Sequence, residues 1–307
     1  MNSTAFHRSV FLTEQQLHAP EGCCPICGNR SREFVVALQR APDVELLRCE
    51  DCHAASASRM PTEDALAEYY REYYRTDLTE GLEDSVTVGD SLRFGRHLAA
   101  KAWPILKKEL VTILDYGGGD GTISMRVAEV LLAKGASAVR ILVVDYNESL
   151  PRPADQRISM GNEKTLDGVQ GSFDFVIASA IVEHVSRPAE VLERLFALMS
   201  PGGVFYARTP NIASLMRCAD FLGVRLDFTF PAHLHDFGQD FWEQYVESHA
   251  TEHQLVLISS RPSIVETRFR RHFLRTVAAY LLKAPWMAFG RIYTLVGGWE
   301  VFCRKAP

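Results

Sequence analysis

The stretch Val111-Thr-Ile-Leu-Asp-Tyr-Gly-Gly-Gly-Asp-Gly-Thr122 decides how the rest of the chain folds. A run of strand formers ends at Asp115, breaks into a glycine turn, and resumes as Ile123-Ser-Met-Arg-Val-Ala-Glu-Val-Leu-Leu132, whose apolar spacing is helical. Strand, tight loop and helix in that order let a backbone close on a ligand at a helix N-terminus. The glycine spacing restricts which ligand. A dinucleotide loop needs glycine at its first, third and sixth positions. Counting from Gly117, the third is Gly119, but the last glycine falls at the fifth place, Gly121.

Outward from this stretch the pattern alternates. Strands are predicted over 139–144, 157–160, 172–179, 204–208, 254–259 and 299–304, and helices over 90–110, 189–199 and 240–252. The G-x-G-x-G loop headed by Asp115 resembles motif I of the class I S-adenosylmethionine (SAM) methyltransferases. Phe173-Asp-Phe-Val176 is similar to their motif IV, and Glu183-His-Val185 to the "EHV" signature of many small-molecule members. Leu198, Pro201-Gly-Gly203, Pro210 and Asn211 match again, so the resemblance runs from Cys24 to the C-terminus and is sharpest from Asp115 to Asn211.

The resemblance implies an α/β fold, a Rossmann-like seven-stranded sheet with helices on both faces and an antiparallel last strand. It implies SAM as methyl donor and S-adenosylhomocysteine as product. The cofactor residues it marks are Asp115, Tyr116, Gly117, Gly118, Gly119, Gly121, Asp145, Tyr146, Asn162 and Ser179. In this family the acidic residue ending the second strand accepts both ribose hydroxyls. Asp145 matches that place, with Glu148 as rival, and a carboxylate suits it because it only accepts hydrogen bonds. Asn162 stands near a family Asp that contacts the adenine amino group.

SAM carries an activated methyl, so the protein has to align the acceptor, exclude water and remove a proton. His184, at a strand end, is the first candidate base. His235 and His233 follow, in the aromatic stretch Phe228-Thr-Phe-Pro-Ala-His-Leu-His-Asp-Phe237, which resembles the family's acceptor-covering "HxHxF" loop; Asp236 is a further acid/base candidate and Glu183 an orienting group. In an extended chain the two histidines point the same way. Glu183, His184, His233 and His235 together also resemble the divalent-metal site of some RNA-end and quinone-precursor methyltransferases, although the additional upstream Glu of that site falls at Ala180.

Four of the seven cysteines form two C-x-x-C pairs, Cys24/Cys27 and Cys49/Cys52, with Cys23 and His53 as adjacent spares. Two such knuckles about twenty residues apart supply four thiolates for a tetrahedral zinc, and a closed set of four leaves no position for chemistry. Segments 33–38 and 44–48 are predicted as the hairpin of a zinc ribbon. Residues 20–61 carry five Arg against six Asp or Glu, a net of −1, which opposes a nucleic-acid partner. The zinc is therefore read as structural, in a module that packs against the main domain or closes over the substrate.

The 307 residues divide on this reading into a tail or packing arm (1–20), a zinc ribbon (21–61) and a methyltransferase domain (62–307) with a helical lid (62–110) and a C-terminal cap (261–298). In the helix predicted over 63–75, Tyr69, Tyr70, Tyr73 and Tyr74 either pack or reach the site, and 76–89 reads as an acidic loop. With 47% hydrophobic residues, a mean hydropathy of −0.06, no apolar spanning run and no secretory signal, the chain reads as a cytoplasmic protein. The net charge is −5, yet residues 261–307 hold nine Lys or Arg against two Glu, a local +7. That excess, with Arg268, Arg270 and Arg271 at its heart, suits an acceptor linked to a phosphate, nucleotide or carrier protein. The apolar helical stretch 272–293 has three readings: a cap on the last strands, a homo-oligomer contact, or a membrane-surface helix. The function expected is methylation of a small molecule in secondary-metabolite or cell-surface sugar biosynthesis. The alternatives are an RNA-modifying enzyme using the ribbon, and a SAM-binding protein without methyl transfer.

Overall fold

The apolar run of the quoted stretch is β4 (Leu110–Tyr116), and in the computed structural model it lies at the centre of a seven-stranded sheet. The structure describes residues 9–75, 90–147, 149–265, 267, 269–270 and 272–307. Loop 76–89, Glu148, Arg268 and Arg271 lie outside the described residues, as do the side chains of Tyr73 and Tyr74. A strand covered on both faces is apolar along its whole length, and Val111, Ile113 and Leu114 are all fully buried. The parallel neighbours of β4 are β5 (Ala138–Val144) and β7 (Phe173–Ser179). Outside them run β6 (Ile158–Glu163) and β8 (Met199–Asn211). Antiparallel β11 (Gly297–Lys305) then separates β8 from β10 (Leu255–Pro262), giving the order β10-β11-β8-β7-β4-β5-β6.

The sheet and its helices match the expected fold class. One boundary differs: β8 begins at Met199 instead of 204. Phe173 pairs with Met199 and Phe175 with Val204, so Ser200-Pro-Gly-Gly203 forms a bulge inside the strand, with Gly202 at a φ of 75°.

One face of the sheet is covered by α2 (Ser91–Leu106) and α3 (Thr122–Ala133) through Phe94, Leu98, Val127 and Leu131. The other is covered by α4 (Pro188–Ala197) and α6 (Gln239–Ser248) through Leu195, Phe196, Phe241 and Trp242. The expected lid over 62–110 is thereby corrected for its second half, because α2 is a core helix whose apolar face is sealed against the sheet. Among the described residues of that stretch, α1 (Glu63–Arg75) stands beside the site through Tyr70.

The N-terminal module is a second sheet, in the order β1 (Arg32–Arg40), β2 (Asp43–Cys49), β3 (Ala55–Ala57), β9 (His235–Asp236). Its fourth strand belongs to the histidine loop: Ala55 pairs with Asp236 and Ser56 with His235. The boundary expected at 61/62 is thus crossed by a strand pairing. Residues 9–20 form a packed arm and not a free tail, since Leu12 and Leu17 are buried and the Gln39 side chain bonds both the N–H and the carbonyl of Leu12.

Gly95 marks the closest approach of α2 to α3. A Cβ there would lie 2.7 Å from Arg126 Cβ and 2.9 Å from its carbonyl carbon. Gly95→Ala gains up to about 1 kcal/mol in helix propensity but must separate two packed helices, at about 1–3 kcal/mol. The expected outcome is a lower denaturation midpoint in urea.

Candidate active site

The turn after β4 is built by contacts that only glycine permits. A Cβ on Gly118 would stand 2.5 Å from the carboxyl carbon of Asp115, and one on Gly117 would stand 2.4 Å from Ile181 Cγ1. Gly117, Gly119 and Gly121 all have positive φ, which L side chains rarely adopt. Gly117 donates its N–H to the Val144 carbonyl (2.8 Å), and Gly119 donates to Asp145 Oδ2 (2.9 Å). The other oxygen of Asp145 accepts from the Asn147 N–H (2.9 Å). Both carboxylate oxygens are therefore aimed by backbone donors, and each retains lone-pair capacity for a further hydroxyl.

Asn162 spends its amide donors on the carbonyls of Asp145 (3.3 Å) and Asn147 (3.2 Å), so it braces the turn that carries Asp145. Burial pushes the Asp115 carboxyl up to about 6, and its Oδ2 has no hydrogen-bond partner among the described residues. Ser179 Oγ, at the end of β7, is likewise buried without a partner there. Burial also pushes the Tyr116 phenol up to about 12, while Tyr146 beside Asp145 is 83% exposed. Nothing lies within 4 Å of a Cβ built on Gly119. An orphaned carboxylate oxygen, a preset pair of acceptors and open space before the loop fit a ligand that has an ammonium and a diol, as SAM does.

After β7 the chain turns through Ala180, at a φ of 56°, into a short 3-10 helix at Val182–His184. His184 Nδ1 lies 2.8 Å from the carbonyl of Ala232 and 3.2 Å from the hydroxyl of Tyr70. Of the tyrosines in α1, Tyr69 is thus a packing residue and Tyr70 reaches the site. The rings of His184 and His233 are 4.8 Å apart between centroids. His233 Nδ1 faces the Phe228 carbonyl (3.0 Å) and Thr229 Oγ1 (2.7 Å). Nitrogens of both rings and a Glu183 oxygen come within 4.8 Å of one another. An Nδ1–H given to a carbonyl leaves the basic lone pair of each imidazole on Nε2.

His235 is elsewhere, which corrects its place among the candidate bases. Residues 229–233 form a turn, with the N–H groups of Ala232 and His233 both donating to the Thr229 carbonyl, so the two histidines do not share one extended face. His235 is fully buried. Its Nδ1 bonds Ser56 Oγ (2.8 Å) and its Nε2 the Val185 carbonyl (3.0 Å), leaving neither nitrogen to move a proton. It pins the N-terminal module to the segment that follows β7. Asp236 accepts from the Ile212 N–H (2.9 Å) and from that of Ala213, capping α5 (Ala213–Phe221). Ser56, in an unremarkable Ala-Ser-Ala run, and the Ala232 carbonyl carry no sequence signal for these roles.

The four expected cysteines converge. Cys24 and Cys52 sulfurs are 3.6 Å apart and those of Cys27 and Cys49 3.5 Å, and all four lie within 4.8 Å of one another. A tetrahedral zinc with bonds of about 2.3 Å needs sulfurs about 3.8 Å apart, far from the ~2 Å of a disulfide. The set fits zinc, and neither Cys23 nor His53 joins it. Between this module, the start of α6 and the C-terminal segment opens a shallow cleft lined by Arg48, His53, Asp240 and Arg291.

A family model described as "Methyltransferase domain" matches residues 88–254, more than half of the chain. The chain is 32% identical over 124 residues to the ubiquinone biosynthesis O-methyltransferase of Caulobacter vibrioides, covering 39% of this chain and 47% of that protein. It is 30% identical over 104 residues to a probable S-adenosylmethionine-dependent methyltransferase of Mycolicibacterium smegmatis, covering 32% and 38%. The aligned part spans less than half the length of these curated relatives. A solved structure of the plantazolicin methyltransferase BpumL with a monoazolic desmethylPZN analog and SAH is similar with a TM-score of 0.49 and 12% identity, over 79% of this chain and 94% of that one.

The buried pin has a pH signature. Burial pushes His235 down to about 3, against 6.5 for an ordinary histidine. The stability it adds is complete above pH 6.5 and is lost as pH falls toward 3, because only the unfolded chain takes up the proton. Asp115 and Asp236, both pushed up to about 6 by burial, act in the opposite sense below that pH. His235→Gln should cost about 1–3 kcal/mol at pH 7.5 and flatten the acid limb of a stability–pH curve measured by urea unfolding.

Proposed function

We infer, since the chain belongs to the methyltransferase-domain family and is a SAM-dependent methyltransferase, that it methylates a small molecule at a site beside His184. The observation that carries this reading is the hydrogen bond from His184 Nδ1 to the Ala232 carbonyl, which sets the imidazole tautomer and leaves Nε2, 3.9 Å from Glu183 Oε1, as the basic nitrogen. SAM supplies a methyl on a sulfonium and leaves as S-adenosylhomocysteine. The chain's own part is to hold the ribose diol on Asp145 and the amino-acid end near Asp115 and Gly117–Gly119, and to align the acceptor. His184 Nε2 takes the acceptor's proton as its oxygen or nitrogen bonds the methyl, and Glu183 stabilises the imidazolium that results.

Zinc at Cys24, Cys27, Cys49 and Cys52 is structural on this reading, and it holds the ribbon against α6. An acceptor carrying a phosphate, nucleotide or carrier handle would meet Arg48 and Arg291 in the open cleft, although both are already paired, with Asp240 and Glu243. The ribbon joined to this domain supports a place in secondary-metabolite or cell-surface sugar chemistry, in a reducing, cytoplasmic setting that suits its free thiols.

The test separates binding from chemistry. Asp145→Ala should weaken SAM binding in calorimetry by roughly tenfold or more, the loss of two hydrogen bonds. His184→Gln should leave that affinity in place and lower kcat roughly 10²–10⁴-fold with any accepted substrate. If His184→Gln turns over at the wild-type rate, the base is elsewhere.

A second reading is favoured by one specific observation. Both His184 and His233 give Nδ1 to a carbonyl, the outer contact that metal-ligating histidines use, and a nitrogen of each ring lies within 4.8 Å of a Glu183 oxygen. These three residues would hold a divalent cation able to bind and acidify an acceptor hydroxyl. His235 takes no part. Metal analysis of the purified protein should then give two ions per chain, falling to one in His233→Ala. A single zinc per chain, with methyl transfer unaffected by mild chelation, leaves His184 as a metal-free base.

A further inference from the structure

The segment after β10 has its amphipathicity turned outward. In α7 (Phe273–Lys283) the inward residues are Thr276, fully buried, and Lys283, whose Nζ donates to the carbonyl (2.5 Å) and hydroxyl (2.9 Å) of Ser263. Trp286, which opens α8 (Trp286–Phe289), packs edge-on against Trp299 at 5.6 Å. These contacts seat the helix pair on β11. The opposite face carries Leu274, Ala278 and Leu281 at the i, i+4, i+7 spacing of one helical stripe. Leu274 is 80% and Leu281 67% exposed, and the apolar surface continues through Met287 at 87% and Ile292 at 88%, with Phe273 and Phe289 also exposed. Eleven helical residues are too few to cross a bilayer, and no helix among the described residues is long and apolar enough to do so.

Charge identifies what covers this face. From Thr267 to Trp299 the sequence has no Asp or Glu and six Lys or Arg. Arg270, Arg275 and Arg291 are exposed along the same segment. A second copy of the chain would bring Arg270 and Arg275 up to the same arginines of its twin, with no acid in the segment to pair them, which opposes an isologous contact. A surface that is apolar inside and anionic at its rim complements the segment on both counts. We propose that α7 and α8 dock this protein in the plane of an anionic lipid bilayer, with Leu274, Leu281, Met287 and Ile292 in the acyl boundary and Arg270 and Arg275 at the headgroups. The docking is independent of which group receives the methyl, and it places the enzyme where an acceptor held in or on a membrane would be reached.

The full-length, zinc-loaded protein is to be sedimented with vesicles of phosphatidylcholine alone and with about 30% phosphatidylglycerol. Binding is expected to the anionic vesicles and to weaken with salt, each arginine near the surface contributing roughly fivefold. Leu274→Glu with Leu281→Glu, two solvent-facing changes that leave the core untouched, should reduce binding at least about tenfold while the circular dichroism spectrum and SAM affinity stay unchanged. Arg270→Gln with Arg275→Gln should lower it on anionic vesicles only. The proposal is overturned if anionic vesicles bring down no protein, or if the Glu variant binds as the wild type does. It is equally overturned if the wild type self-associates through this face in lipid-free ultracentrifugation and the Glu variant does not, or if an acidic carrier protein binds the face and vesicles do not.

Discussion

Everything at the candidate site depends on how closely one backbone turn passes a buried carboxylate. Between Asp115 and Gly118 there is no room for a methyl group, and the turn then fastens itself to the next strand through the bond from the Gly119 amide to Asp145. Two constraints follow from one geometry. The crowding forces glycine into the loop, and the amide bond sets the Asp145 carboxylate before any ligand arrives. A preset acceptor pair removes part of the ordering cost that binding would otherwise carry. The penalty is a buried Asp115 whose charge burial disfavours, a strain in the apo site that a cationic group would relieve.

The second organising contact is the short pairing of β3 with β9. By counting residues the ribbon is an appendage. By its hydrogen bonds it is the wall against which the histidine loop is built, and Cys24, Cys49 and Cys52 share a buried cluster with Phe241, Trp242 and Trp299. The Leu234 amide adds a bond to the Glu183 carbonyl, so the turn after β7, the histidine loop and the ribbon form one continuous ladder. His184 and His233 stand on the side of this ladder that stays partly open, and His235 stands on the sealed side.

What could be read in the sequence was local. The strand–loop–helix at 111–132, the C-x-x-C knuckles and the strand-end Asp145 are each specified by neighbours a few residues away, and the structure places them where spacing says they should be. His233 and His235 look equivalent in one dimension. What separates them is a turn at 229–233 and a partner, Ser56, 179 residues distant. The lid assigned to 62–110 failed in its second half for a similar reason. An amphipathic helix announces that one face is buried, but α2 had to be seen against α3 before its buried face proved to be core and not cover. The outward stripe of α7 was one of three open readings of 272–293, because a helical pattern does not say which side meets the protein.

The shared sheet also changes what a metal in the ribbon would do. Four cysteines closed on one ion would leave no open position for chemistry, yet the strand that completes their sheet is the strand that ends the histidine loop. The free energy of holding four thiolates on one ion would then be drawn on by the loop as well, as folding and metal binding are linked in small thiolate modules. Oxidising the thiols, or stripping the ion, would free β3 and with it the far edge of the loop. Cysteines that take no part in catalysis would thereby give the enzyme a dependence on its redox surroundings.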